Sequence, residues 1–103
     1  MLFAVHMTVN PPPDMDPEAR ATTLAAEKKY ADKLQRAGKW LHLWCCAGRY
    51  ANLSVFDVTH NDRLNELLWG LPLFPYMEIT VTPLALHPSV VPRTAAADFS
   101  AME

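Results

Sequence analysis

The hydrophobic period of this chain switches from two to 3.6 and back to two, and then repeats the switch. That order limits the fold more than any single motif does. Residues 2–9, LFAVHMTV, alternate: Phe3, Val5, Met7 and Val9 form an apolar row, and Leu2, Ala4, His6 and Thr8 the other. Such a row predicts a strand with one face in a core. Asn10-Pro11-Pro12-Pro13 ends it, because proline cannot donate to a ladder. A helix is predicted next, with Asp16 as N-cap, Pro17 at its first position, and a run from Glu18 to Ala37 free of Pro and Gly. Gly38 suits the position just past its C-terminus.

Residues 39–47 and 50–58 read as two strands joined by Gly48-Arg49 in a tight hairpin. In that pairing Cys45 lies opposite Asn52, and His42 opposite Val55. Asn61 is expected to cap a second helix, Asp62 to Trp69, with Leu64, Leu67 and Leu68 as its stripe and Gly70 as its stop. Residues 71–75, LPLFP, form a rigid connection. Residues 76–82 alternate again, with Met77, Ile79 and Val81 in one row. The order β-α-β-β-α-β predicts an α+β, ferredoxin-like sandwich: a four-stranded antiparallel sheet with both helices on one face. The ferredoxin-like domain is expected to span residues 1–86. Residues 87–103 show no periodicity and read as a C-terminal arm or tail.

At 103 residues the chain has room for one domain. With 50% hydrophobic and 19% charged residues it does not have the composition of a disordered chain. A net charge of −2 without basic clusters argues against nucleic acid as a partner. No window approaches the roughly 18 apolar residues of a membrane span. The N-terminus lacks the basic and apolar regions of a signal peptide, so the cytoplasm is the expected location. Three Trp, four Phe, three Tyr and five Met are generous for so small a core, and part of that surplus is expected to be covered by other subunits.

The three glycines are each taken by a helix end or a turn, which leaves none for a phosphate-cradling loop. His6, His42, His60 and His87 show no metal-ligand spacing, so no metal is expected. Cys45 and Cys46 are adjacent, point to opposite faces of a strand, and are expected to be buried free thiols.

The first helix carries the sharpest chemical signal. At about 100° per residue, positions 20, 24, 27, 31 and 34 share one side. Leu24, Ala31 and Leu34 make an apolar stripe, and Glu27 lies in its middle. Lys29, Lys33 and Arg36 fall on the opposite side. A carboxylate on a buried stripe is costly unless paired or used, and burial raises its pKa into the range of a general base. The competing reading is a rim glutamate paired with a cation at i+4 or on another element. The hairpin offers a second cluster: Lys39, Trp40, His42 and Trp44 from one strand, Tyr50, Asn52 and Ser54 from the other. Even-numbered members of each strand are expected to form a polar and aromatic patch able to hydrogen-bond an oxyanion. The competing reading is that the tryptophans pack and that Tyr50 and Asn52 line an interface. Ser54, His42 and Asp57 do not make a catalytic triad, because Ser54 and Asp57 point to opposite faces of one strand.

Several segments together resemble the muconolactone delta-isomerases of aromatic-ring (catechol) degradation: MLFAVHMTVN, Glu27-Lys28-Lys29-Tyr30, LQRAGKW at 34–40, YANLSVFDV at 50–58, GLPLFPYM at 70–77, Val81-Thr82-Pro83-Leu84 and His87-Pro88-Ser89. The resemblance implies a ferredoxin-like subunit in a ring-like homodecamer, with active sites between subunits and no metal or organic cofactor. It places a single carboxylate base at Glu27, the residue the stripe selects independently. Lys39, His42, Tyr50 and Asn52 are then the expected substrate-binding residues, and the substrate a small lactone. Related chloromuconolactone dehalogenases keep the base and expel chloride, which is the second activity to weigh. The third is a non-catalytic ligand-binding module of the same fold. The chain departs from the family pattern at Leu41, at Cys45-Cys46 and at Arg49, all around the expected pocket or its interface.

Overall fold

The first alternating segment forms β1, Leu2–Val9, and its inward row is buried throughout, with Phe3, Val5 and Met7 wholly inaccessible. The computed structural model describes residues 1–91. After the prolines comes α1, Pro17–Arg36, capped by Asp16, whose side chain accepts from the Ala19 amide at 3.1 Å. Gly38 follows it with φ +73°, a left-handed conformation that suits glycine. The hairpin is β2, Trp40–Cys45, and β3, Ala51–Asp57. Next come α2, Asn61–Trp69, a single 3-10 turn at Phe74–Tyr76, and β4, Met77–Leu84.

The strands form one antiparallel sheet in the order β2-β3-β1-β4. Ala31 and Leu34 of α1 and Leu64, Leu67 and Leu68 of α2 share one core with Phe3, Val5, Met7 and Phe56. Both helices therefore cover the same face, as the periodicity predicts. Burying these side chains, at about 1.5–3 kcal/mol each, is the main force holding helices to sheet. Pro83 sits within β4, where an edge strand tolerates its missing N–H.

The helices are joined by a direct tie. Tyr30 Oη of α1 donates to the Leu67 carbonyl of α2 at 2.7 Å, and burial pushes the phenol pKa up, which keeps it a neutral donor. Gly70 lies against that hydroxyl. Its φ of −77° suits any residue, but a Cβ there would stand 2.5 Å from Tyr30 Oη. Gly70 ends α2 as predicted, and it is the close approach of Tyr30, not a positive φ, that favours glycine there.

Three expectations need correction. The second helix begins one residue earlier than predicted, and its N-cap is His60, not Asn61: His60 Nδ1 accepts from the Arg63 amide at 3.2 Å. The cysteines are free but not buried. Cys45 is exposed and Cys46 half-buried, because β2 is an edge strand whose far end no helix covers. The expected patch of even-numbered hairpin residues is split between two faces. The predicted pairs Cys45–Asn52 and His42–Val55 are both observed, and antiparallel partners share a face. Leu43 and Cys45 therefore lie on the helix-covered side with Asn52 and Ser54, while His42 and Trp44 lie on the open side with Val55 and Leu53. A bulge between Trp40 and His42 turns Trp40 back into the core, where it stacks on Phe56 with ring centroids 4.7 Å apart.

His87 to Val91 contain no helix or strand. The remainder of the expected C-terminal arm, residues 92–103, lies outside the described residues.

Candidate active site

Between α1 and the sheet lies a cleft of about 400 Å³ lined by residues from every layer: Leu24, Glu27 and Lys28 of α1, Trp40 and Leu43 of β2, Tyr50 and Asn52 at the hairpin, Leu73 and Met77 beyond α2. Its walls are mainly apolar, and few polar groups converge on it, as in small-molecule sites generally. A wider groove of about 810 Å³ runs along α1 between Ala26 and Ala37, beside Pro72. Its one carboxylate, Asp32, is engaged by Arg36 at 2.8 Å, so it offers no free base.

Glu27 is half-buried in the cleft. Loss of hydration pushes its pKa above the ordinary glutamate value, partly opposed by one backbone hydrogen bond. That bond comes from Leu73, whose N–H donates to Oε2 at 3.3 Å. The other oxygen, Oε1, accepts no hydrogen bond among the described residues, and no cation there forms a salt bridge with Glu27. The competing reading of a rim glutamate held by a cation does not describe this geometry. One oxygen is fixed and the other is open, which is the arrangement a proton-transfer base requires.

Asn52 is oriented from behind. Ser54, wholly buried, donates from Oγ to Asn52 Oδ1 at 2.8 Å. This directs the amide so that Nδ2 meets only the Met7 sulfur, at 3.7 Å, a weak acceptor that leaves the donor available. Tyr50, half-exposed at the hairpin end, adds a phenol to the same cleft.

Of the residues selected from sequence, Glu27, Tyr50 and Asn52 are brought together. Lys39 and His42 are not among the residues lining the cleft. His42 stacks on Trp44, ring centroids 4.9 Å apart, on the open face of the sheet. Sequence reasoning missed the Leu73 amide, which has no side-chain signature, and the lining residues Lys28 and Leu43. It also did not see that Ser54 orients Asn52; only the i, i+2 spacing on one face hinted at it. Among the described residues, no group of three His, Cys, Asp or Glu side chains is placed to hold a metal ion.

The chain matches the muconolactone delta-isomerase family over residues 1–90. The chain belongs to the muconolactone delta-isomerase family. Membership makes it an enzyme of isomerase type. It is 58% identical to the muconolactone delta-isomerase of Pseudomonas putida over 92 residues, which is 88% of this chain and 95% of that protein. It is 52% identical to that of Rhodococcus opacus over 90 residues, 87% of this chain and 97% of the relative. The crystal structure of a muconolactone isomerase superposes with a TM-score of 0.86 at 52% identity, covering 91% of this chain and 98% of that one.

Proposed function

We propose that this chain isomerises muconolactone to the enol-lactone of 3-oxoadipate by a 1,3-proton shift without cofactor, a step of catechol degradation. The observation that carries this reading is Glu27: a desolvated carboxylate in a cleft, held through one oxygen and open at the other. Muconolactone is a butenolide with a carboxymethyl arm. Its C4 hydrogen is acidic because loss of that proton gives a dienolate delocalised to the lactone carbonyl. Glu27 takes the proton from C4 and returns it at C2, so that one carboxylate serves both steps on one side of the ring. Its raised pKa narrows the gap between base and carbon acid. Asn52 Nδ2 and the Tyr50 hydroxyl are the donors placed to stabilise the dienolate oxygen.

The catalytic unit is residues 1–86. We assign the chain to the cytoplasm and to a homodecamer with sites completed at subunit contacts. Exposed Trp44, Leu53 and Leu84 on the open sheet face, with Trp69 at 65% exposure, support an assembly that covers them. Lys39 and His42 stand outside the cleft of their own subunit, so a substrate-binding role for them requires a neighbouring site. No helix among the described residues is long and apolar enough to cross a membrane.

The direct test is incubation of the purified protein with muconolactone, following product absorbance. A parallel incubation with 5-chloromuconolactone, following chloride, distinguishes the isomerase from a dehalogenase. Failure to turn over muconolactone refutes the proposal.

A further inference from the structure

The lactone has two parts of different chemistry: a ring that reacts and a carboxylate arm that does not. The cleft already contains Glu27 and Asp32. A third carboxylate entering it is repelled unless a cation shares the site.

Lys28 is the one cation among the described residues that line the cleft. Helical spacing would ordinarily pair it with Asp32, four positions on. Asp32 is instead bound by Arg36, whose Nε donates to Oδ2 at 2.8 Å. Lys28 forms no salt bridge among the described residues. It follows Glu27 directly, about 100° further round the helix, which places it at the rim and Glu27 at the wall. It is exposed, so its ammonium stays hydrated on a flexible stem and reaches over the mouth without a burial penalty.

We infer that Lys28 holds the carboxylate arm of the substrate at the rim while Glu27 works on the ring. This assignment rests on the lactone reading above. The arm keeps its charge throughout the proton shift, so the contact is equally strong in the ground and transition states. It therefore sets KM and discrimination for acids, and leaves kcat unchanged.

The test separates binding from turnover. The saturated analogue, a carboxymethyl butanolide that no base can isomerise, and its methyl ester are titrated calorimetrically into wild type, Lys28→Gln and Lys28→Arg. Both replacements suit an exposed helical position and leave folding intact. Lys28→Gln is expected to weaken binding of the acid about three- to tenfold, with Lys28→Arg restoring it and the ester unaffected by either. With muconolactone, KM for Lys28→Gln should rise by the same factor at constant kcat. Unchanged binding of the acid, equal losses for acid and ester, a fall in kcat alone, or no binding to wild type overturns the assignment. If wild type binds the acid through Lys28 but does not isomerise muconolactone, the proposed function fails and the carboxylate contact stands.

Discussion

Gly70→Ala should destabilise this protein although its backbone is compatible with alanine. At φ −77° and ψ −10°, replacing Gly by Ala ordinarily stabilises by about 0.4–1 kcal/mol through the unfolded chain. Here the new Cβ would meet Tyr30 Oη at 2.5 Å, Tyr30 Cζ at 3.1 Å and the Leu67 carbonyl oxygen at 3.4 Å. The Tyr30 ring must move, and a shift away from the new Cβ strains its 2.7 Å hydrogen bond to that carbonyl. Losing the bond costs about 0.5–1.5 kcal/mol, and overpacking adds about 1–3 kcal/mol. After the backbone gain is subtracted, a net loss of about 0.5–4 kcal/mol is expected. Denaturant unfolding at fixed protein concentration measures it, since any assembly makes the midpoint concentration-dependent. Tyr30→Phe removes the atom in the way, so Gly70→Ala should cost distinctly less in that background, a coupling readable from a double-mutant cycle. A Gly70→Ala protein as stable as wild type, or additive effects in the cycle, would refute the argument.

Glu27→Gln should fold normally and lose at least about a hundredfold in turnover with little change in analogue binding, as steady-state kinetics and calorimetry can show. The acid limb of kcat/KM should lie above the ordinary glutamate value, because the base must be ionised and its pKa is raised by burial. The same shift means the fold favours the protonated form. Ionising Glu27 therefore withdraws stability as pH rises from the unfolded-state value through the raised native one, and Glu27→Gln should flatten that part of the stability profile. Ser54→Ala should lower kcat several-fold while Glu27 keeps its acid limb, since it frees the Asn52 amide and leaves the base untouched. Cys45 should react with a thiol reagent without denaturant, and Cys45→Ser should remove the fast phase.

The parts of the fold that were legible in sequence are those where periodicity and punctuation agree. Phe3 to Val9 alternate and are stopped by prolines; Asp16 and Gly38 bracket a helix; the hairpin register follows from the position of Gly48. Glu27 was legible because a carboxylate interrupted an apolar stripe. The bulge before His42 was not, since Trp40, Leu41, Leu43 and Trp44 are apolar on both faces and no Gly or Pro marks the extra residue. The faces of His42 and Asn52 follow from the predicted pairs themselves: an even-numbered residue of one strand stands opposite an odd-numbered one of the other, so counting even positions joins opposite faces. His60 does not announce itself as a cap, because asparagine beside it is the stronger capping residue in general. The Leu73 amide could not be read at all: a backbone donor carries no residue identity, and only the tertiary path from Gly70 to Tyr76 brings it to Glu27.

The bulge gives β2 the character of a beam clamped at one end. Trp40, seated on Phe56, is the clamp. Beyond it the strand, still paired to β3, projects as an exposed edge, and Leu43 and Tyr50 reach the cleft from a segment that contributes little to the core. Anchorage and ligand reading are thus borne by different stretches of one hairpin. The departures at Cys45, Cys46 and Arg49 all fall on the projecting stretch. Variation there can retune what enters the cleft while the clamp, and with it the fold, is left as it was.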